Sequence, residues 1–340
     1  MDRRGFLRFF VVCLIMIFVI GLNITDKINS VEPKEIIREY DVKINVQEQN
    51  YEKTEEKAEK KDETDKKSES TPVLAESVKG KIIERYISPY TAPLSYNGVY
   101  LKNNTGTNIN LKNLMSGKLG IKIKETKNPQ VLIMHTHTTE CYMEKDTGYY
   151  YEDSLTRTTN NNKNMAKIGE IIAEKLNESG IVTLHDKTQH DYPQYTGSYS
   201  RSAKTVNSYL KKYPDIKVVI DLHRDSVSSG ENDKVKLVTQ IKGKKAAQVM
   251  LVMGSQTGGI TGFPKWQENL KLAMKLHQVM EKKYPTLARP ILLNSKKYNQ
   301  NLTTGSLLIE VGTEANTIEE ASFSAEMVAD SLIELLKGIK

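Results

Sequence analysis

The fold is set by the stretch VLIMHTHTTE, residues 131–140, in which four apolar residues run directly into two histidines and a glutamate. Near-continuous hydrophobicity over so few residues is typical of strands buried on both faces, and it recurs at residues 181–184, 218–222, 249–253 and 307–311. Apolar stripes with helical spacing occupy residues 165–176, 266–280 and 325–336. Strands that alternate with helices predict an α/β fold, a single mixed or mostly parallel sheet flanked by helices.

Chemistry-bearing residues follow or end three of the predicted strands. His135, His137 and Glu140 come directly after the first strand. Another strand runs into Asp221-Leu222-His223-Arg224-Asp225, and a third carries Glu310. Because ligands bind outside the carboxyl ends of strands in open α/β sheets, parallel neighbours would bring these side chains to one crevice.

The residue types in this set predict a catalytic metal centre. His137, Glu140 and His223 would bind one divalent ion, expected to be Zn²⁺, and leave its fourth position to water. Glu310 would then act as general base and afterwards as general acid. This arrangement resembles the ligand set of zinc carboxypeptidase-like hydrolases. His135 competes with His137 for one ligand position. The spacing His137-x-x-Glu140 favours His137, and His135 would then lie in the outer shell or contact substrate.

Two neighbours of His223 belong to the predicted surroundings of the metal. A carboxylate inside an apolar strand needs a partner or a metal nearby. Asp221 is therefore expected to orient His223 or Arg224. The residue types do not distinguish zinc from another divalent metal.

The composition excludes several classes of protein. Of the 340 residues 38% are hydrophobic, the formal net charge is +7 and the mean hydropathy is −0.50. The only cysteines, Cys13 and Cys141, are too few for a disulfide framework or a four-cysteine zinc site. The basic excess is mild and no Lys/Arg cluster alternates with aromatic residues, so we expect no nucleic-acid partner.

The N-terminal part of the chain is predicted to anchor the protein in a membrane. Residues 9–25 are an uncharged, mostly apolar run of seventeen, at the short end of what spans a bilayer as a helix. Arg3, Arg4 and Arg8 precede the run, so the positive-inside rule places the N-terminus in the cytoplasm and the rest outside. A cleaved signal peptide is the alternative, although no small-x-small cleavage site follows the run.

The remaining chain divides into three further segments after this anchor, which takes residues 1–26. Residues 27–78 are interpreted as a disordered extracytoplasmic tether, because residues 51–70 carry fourteen charged residues in twenty and cannot build a core. Residues 79–126 are expected to form a lead-in packed on the main domain. Residues 127–340 would form the catalytic domain.

Four stretches of the chain closely resemble the stage II sporulation protein P family. They are residues 131–140, Gly98-Val99-Tyr100-Leu101-Lys102-Asn103, residues 221–225, and Ile309-Glu310-Val311-Gly312. The predicted anchor and tether match as well. The resemblance implies a zinc amidase fold of the phosphorylase/hydrolase-like type and the activity of an N-acetylmuramoyl-L-alanine amidase.

The same resemblance extends to single positions. The places that match the wider zinc amidases are His137, His223, Glu310, Arg201 and Asn316. Asn316, with Arg224, becomes a candidate for positioning substrate or stabilising the oxyanion. The wider amidases take their glutamate ligand from just before a helix start, where this chain has Asn161-Asn162-Lys163-Asn164 without a glutamate. Glu140 is the substitute.

The biological setting that the resemblance implies is engulfment of the forespore by the mother cell. The substrate would be peptidoglycan, cut between the lactyl group of N-acetylmuramic acid and L-alanine, with a second activity on peptide cross-links. The chain would lie in the mother-cell membrane with its catalytic domain facing the septal or intermembrane space, and its partners would be stage II sporulation proteins D and M. Two alternatives stay open, a carboxypeptidase-type zinc metallopeptidase acting on stem peptides and a non-catalytic wall-binding scaffold.

Overall fold

A computed structural model describes residues 77–339 of the chain. The strands are β1 Val78–Arg85, β2 Leu94–Tyr96, β3 Val99–Asn103, β4 Val131–Met134, β5 Tyr149–Tyr151, β6 Thr183–His185, β7 Val218–Asp225, β8 Ser228–Ser229, β9 Asp233–Ile241, β10 Lys244–Ala247, β11 Val249–Gly254, β12 Ile291–Asn294 and β13 Ser306–Thr313. The α-helices are α1 Leu111–Ser116, α2 Met165–Glu178, α3 Ser198–Lys212, α4 Trp266–Lys283 and α5 Ile318–Lys337. Short 3₁₀ turns lie at Pro89–Thr91 and Gln300–Leu302.

A large sheet forms the centre of the domain, with the strand order β2-β3-β12-β11-β13-β7-β4-β6. Most neighbouring strands run parallel, whereas β2–β3 and β11–β13 are antiparallel pairs. The five apolar runs of the sequence analysis form β4, β6, β7, β11 and β13. These findings confirm the α/β class and a mixed, mostly parallel sheet.

A second sheet corrects the expectation of a single one. It has the strand order β10-β9-β1-β5, with β8 paired to β9. Its central strand β9 is not among the five apolar runs, because lysines interrupt its apolar residues. One of them, Lys236, is fully buried and lies 2.8–3.1 Å from the carboxylates of Glu84, Asp146 and Glu320. These ion pairs allow a charged residue to occupy a buried strand position.

The two faces of the central sheet carry different helices, because successive residues of a strand point to opposite faces. Helices α2, α4 and α5 pack over Ile133 and Ile220 in the main core. Helix α3 covers the other face, where its Val206 contacts the cluster of Leu132 and Val219. The sequence of α3 is mostly polar. Its narrow stripe of Tyr199, Val206 and Leu210 is not recognised in the sequence analysis, which does not predict this helix.

The helix ends follow known capping rules. The side chain of Asn164 accepts a hydrogen bond from Ala166 N at 2.9 Å, which starts α2. Gly180, with φ of +84°, follows its end, as the sequence pattern predicts. Helix α5 starts with a capping box between Thr317 and Glu320.

The segment of residues 79–126 contributes to both sheets. Strand β1 lies between β9 and β5 of the second sheet, and β3 lies between β2 and β12 of the central sheet. Within residues 77–339 no helix is both long and apolar enough to cross a bilayer. The predicted anchor, Cys13 and the predicted tether up to residue 76 lie outside the described residues.

Candidate active site

Three neighbouring strands bring the predicted site residues to one edge of the central sheet. Strand β7 lies between β4 and β13 and is parallel to both. In this register Glu310 is the partner of His223, and Met134 is the partner of Asp221. The turn that follows Met134 therefore begins beside the strand that carries His223, as the prediction of a shared crevice requires.

The site faces the α3 side of the sheet. Val219 packs against α3, and because alternate residues of a strand share a face, His223 points to the same side. Leu308 clusters with Tyr199 of α3, so Glu310, two residues later, also faces α3. A cleft of about 130 Å³ opens there.

Five residues of the predicted site line this cleft: His137, Glu140, His223, Arg224 and Glu310. The three predicted metal ligands are nearly buried, His137 and Glu140 at 6% exposure and His223 at 3%. The rings of His137 and His223 lie 5.2 Å apart at an angle of 82°. His223 Nδ1 lies 3.6 Å from Glu140 Oε2.

The chemistry of these donors fits a divalent ion. As the side chains stand, no three His, Cys, Asp or Glu residues within 77–339 are arranged to hold a metal. One buried atom of the cleft, Glu310 Oε2, nevertheless has no hydrogen-bond partner among the described residues, and the buried His223 Nε2 has an ion-pair contact with Asp221 Oδ1 at 2.9 Å. Buried polar atoms normally have partners. Imidazole and carboxylate donors that converge around such atoms suit a zinc-like ion.

The charges of His223 and Glu140 depend on each other. Burial alone would lower the pKa of His223, but the carboxylates of Asp221 and Glu140 raise it well above its usual value. Burial would likewise raise the pKa of Glu140, yet its interactions with His223 and Arg224 hold it well below the usual range. Two buried carboxylates therefore require a cation beside them, a charge that a bound divalent ion would also supply.

Glu310 and His137 keep their neutral forms near pH 7. Burial raises the pKa of Glu310 to about 8; His223 opposes this shift, and the carboxylates of Asp225 and Glu140 add to it. Burial lowers the pKa of His137 to about 4. A neutral imidazole is the form that binds a metal, and a carboxyl group that titrates near neutrality can both accept and donate a proton.

His135 lies away from the cleft. Its Nε2 is 2.8 Å from His185 Nε2, its Nδ1 is 3.1 Å from the carbonyl oxygen of Leu222, and its ring packs against Gly169 of α2. Burial lowers the pKa of His135 to about 3 and that of His185 to about 4. Of the two histidines that compete in the sequence, His137 is the one that lines the cleft.

Asp221 and Arg224, the two predicted neighbours of His223, bind the chain segments that surround the cleft. Asp221 accepts hydrogen bonds from Thr136 N at 2.8 Å and Thr136 Oγ1 at 2.6 Å, and its Oδ1 lies 2.9 Å from His223 Nε2, outside hydrogen-bond geometry. Arg224 donates to the carbonyl oxygens of Cys141 at 2.8 Å and Thr156 at 2.6 Å. Asp221 therefore holds the start of the turn after β4, and Arg224 holds the end of that turn and the loop at Thr156.

Arg201 and Asn316 do not line the cleft. Arg201 donates to backbone carbonyls of the loop that precedes α3. Asn316 lies in the buried turn after β13, where its Oδ1 accepts from Thr313 N at 2.8 Å. Its Nδ2 donates to Glu320 at 2.9 Å and to the carbonyl of Leu237 at 3.2 Å.

Comparison with known proteins assigns the family. The sequence model of the stage II sporulation protein P family matches residues 14–333. This chain belongs to the stage II sporulation protein P family. The resemblance noted from the four sequence stretches is thereby confirmed.

A curated relative in this family is the stage II sporulation protein P of Bacillus subtilis (strain 168). It is 31% identical over 216 residues, which are 60% of this chain and 50% of the relative. The match thus spans half the length of the relative.

Solved structures with a similar arrangement are N-acetylmuramoyl-L-alanine amidases. The catalytic domain of CwlV from Bacillus (Paenibacillus) polymyxa var. colistinus has a TM-score of 0.36 at 14% identity, covering 62% of this chain and 99% of that one. The Clostridium difficile 630 amidase has a TM-score of 0.35 at 15% identity, covering 63% and 97%. TM-scores and identities this low do not allow the activity of these amidases to be assigned to this chain.

In this member of the stage II sporulation protein P family, Glu140 lies next to the start of α2. Its carbonyl oxygen accepts a hydrogen bond from Met165 N, the first residue of α2, at 3.0 Å. The wider amidases, in the resemblance drawn from the sequence, take their glutamate ligand from just before a helix start. Glu140 comes from an earlier turn of the chain and lies beside a helix start in space.

The cleft also contains residues to which the sequence analysis assigns no role. Besides the predicted set, those that matter for its chemistry are Arg157, Tyr195, Asp225 and Glu314. Asp225 accepts a hydrogen bond from the buried Arg289 at 2.9 Å. Arg157 and Tyr195 come from loops without a motif or periodic pattern, so only the folded chain reveals them. The single sequence signal is that Asp225 ends the stretch 221–225.

Proposed function

We propose that this chain is a zinc-dependent N-acetylmuramoyl-L-alanine amidase that hydrolyses peptidoglycan during forespore engulfment. The observation that carries the proposal is the convergence of His137, Glu140, His223 and Glu310 on one cleft. They come from three separate stretches of the chain, and the pattern suits metal-assisted amide hydrolysis. Membership of the stage II sporulation protein P family supports the sporulation setting.

His137, Glu140 and His223 are the residues that would hold the metal. When bound, the ion supplies a Lewis acid that polarises the scissile carbonyl and acidifies water. The imidazole of His137 is neutral and ready to bind, since burial lowers its pKa to about 4. Asp221 is fixed by Thr136 and lies 2.9 Å from the imidazole of His223, which it would orient.

Glu310 moves the proton. As a carboxylate it accepts a proton from the attacking water, and as the acid it returns that proton to the amine of the departing alanine. Burial raises its pKa to about 8, which makes its carboxylate a stronger base than an exposed glutamate. The register with His223 places it beside a predicted ligand on a strand rather than on a loop.

The location and partners form part of the same proposal. The uncharged run at residues 9–25 would anchor the chain in the mother-cell membrane, with the N-terminus in the cytoplasm. The tether would then hold the catalytic domain in the septal or intermembrane space. Stage II sporulation proteins D and M are the proposed partners, and peptidoglycan is the substrate.

Product analysis tests the proposed activity. The full chain, purified in detergent with one equivalent of zinc, is incubated with peptidoglycan beside Glu310→Gln and the exposed control Glu231→Gln. An amidase leaves glycan strands without peptides and exposes the amino group of alanine, and only Glu310→Gln should abolish both signals. Release of terminal amino acids from stems that stay attached would indicate a carboxypeptidase instead. Full engulfment activity of Glu310→Gln in cells would indicate a scaffold.

A further inference from the structure

The loop of residues 190–197, which connects β6 to α3, is held by one arginine. Arg201 donates from Nε to the carbonyl oxygen of His190 at 2.6 Å and from Nη1 to that of Thr196 at 3.1 Å. Its Nη2 donates to the carbonyl of Gln194. Three backbone contacts around Tyr195 fix the path of the loop on both sides of this residue.

A second anchor ties the same loop to the turn that carries the predicted ligands. The buried carboxylate of Asp191 accepts from Thr139 N at 3.1 Å and from Thr139 Oγ1 at 2.6 Å. It also forms an ion pair with Arg157 at 2.5 Å, and Arg157 contacts Glu140 at 3.4 Å. These contacts tie the loop to the residue before Glu140.

Tyr195 is placed over His137 by these anchors. The two rings are stacked, 4.6 Å between centroids and 12° between planes, and Arg157 lies 4.7 Å from the centre of the tyrosine ring. Tyr195 Oη is 3.2 Å from His137 Nε2. Because the rings are nearly parallel, the hydroxyl approaches Nε2 over the imidazole face, whereas the nitrogen lone pair lies in the ring plane. The hydroxyl therefore does not block the in-plane direction from which a metal would bind Nε2.

The side-chain donors of Arg224 and Asn316 are directed at atoms of the protein itself. Arg224 donates to the carbonyl oxygens of Cys141, Thr156 and Asp225, and the amide of Asn316 donates within a buried turn. These two residues are the candidates that the sequence suggests for stabilising an oxyanion. Arg157 is paired with Asp191 and Glu140.

We propose that Tyr195 is a further catalytic residue, whose hydroxyl donates a hydrogen bond to the scissile carbonyl oxygen as this atom gains negative charge. The inference rests on the proposed amide hydrolysis. Glu310 transfers the proton and Tyr195 stabilises the charge, so the two residues act on different atoms of one amide. A fixed donor that faces a developing oxyanion contributes about a hundredfold to a thousandfold in rate. The loop anchored by Arg201 and Asp191 provides that fixed position.

Tyr195→Phe in the full, zinc-loaded chain tests this role, because it removes the hydroxyl and keeps the stacked ring. We expect kcat on peptidoglycan to fall by about a hundredfold, with KM changed by less than about threefold. Zinc content should equal that of the wild type. Affinity for a phosphinic analogue of the muramoyl–alanine amide, measured by calorimetry, should fall in step with kcat. Tyr192→Phe, on the same loop and 59% exposed, is the matched control.

Several results would overturn the assignment. A Tyr195→Phe variant with wild-type or higher kcat would show that the ring only covers His137. If the Tyr195→Phe variant lost zinc in proportion to its loss of activity, Tyr195 would only support His137 structurally. If the wild type neither hydrolyses peptidoglycan nor binds the phosphinic analogue, the proposed function fails and this inference fails with it.

Discussion

Glu310 and His223 lie side by side as register partners on the parallel strands β13 and β7. Both side chains point to the α3 side of the sheet and line one cleft. Glu310 Oε2 is buried without a hydrogen-bond partner in residues 77–339, and His223 Nε2 lies 2.9 Å from Asp221 Oδ1. A backbone ladder, rather than a flexible loop, thus fixes the predicted general base next to a predicted metal ligand.

The metal-free protein should become more stable when Glu310 is replaced by Gln, by a pH-dependent amount. Burial raises the pKa of Glu310 from 4.5 to about 8, so the folded state keeps a proton that the unfolded state loses. Below pH 4.5 both states hold it, and between pH 4.5 and 8 the wild type loses stability as pH rises. The advantage of Glu310→Gln should therefore grow from about pH 5 to pH 8, to a few kcal/mol, and then level off. Urea denaturation with chelator across this range measures it, and a constant difference would contradict the shifted pKa.

His223→Ala should lose the metal. Removing a residue that only supports a metal ligand lowers metal affinity by about 10–100-fold. Removing a direct ligand should lower it by at least that much. Metal analysis of the purified chain after equilibrium with buffered zinc measures the loss. His185→Ala is the control, since His185 pairs with His135 away from the cleft. Equal zinc in the His223→Ala protein and the wild type would remove His223 from the ligand set.

Gly169→Ala should destabilise the domain although alanine favours helices. A Cβ at position 169 would lie 2.5 Å from His185 Nε2 and 2.8 Å from His135 Cε1. Overpacking of this kind costs about 1–3 kcal/mol, which exceeds the gain of up to about 1 kcal/mol in helix propensity. Thermal unfolding measures the net loss. The double variant Gly169→Ala, His185→Ala should lose less stability than the sum of the single changes, and strict additivity would show that the two sites do not touch.

Lys236→Met and Lys245→Met should differ sharply in stability although both lysines contact Glu84 and Asp146. Lys236 is buried and also pairs with the buried Glu320, so its loss leaves an uncompensated charge and should cost about 3–5 kcal/mol. Lys245 is 40% exposed, and its loss should cost less than about 1 kcal/mol. Urea denaturation at neutral pH compares them. Similar small losses would mean that the buried carboxylate of Glu320 is solvated when Lys236 is removed.

Much of the central sheet could be predicted because its strands carry a local signal. A strand buried on both faces is apolar throughout, so the runs that became β4, β7, β11 and β13 stand out in the sequence. Strand β9 does not, because Lys236 is neutralised by carboxylates from β1, α5 and a loop. Ion pairs between residues so far apart in the chain leave no pattern in the sequence around Lys236.

The predicted core of the site shares that local origin. His137, Glu140, His223 and Glu310 follow or end apolar runs, and the parallel arrangement brings strand ends together. Tyr195 and Arg157 belong to loops between other elements and reach the cleft through Arg201 and Asp191. The choice between His135 and His137 likewise depended on how the turn after β4 packs against α2.

The amino-acid order by itself determined that buried strands alternate with helices and that histidines and glutamates stand at strand ends, because hydrophobic periodicity is a property of neighbouring residues. Only the tertiary structure decided the strand order, the second sheet and the tyrosine that stacks on His137. Those features arise from contacts between residues far apart in the chain, where packing, ion pairing and backbone hydrogen bonds must be satisfied together.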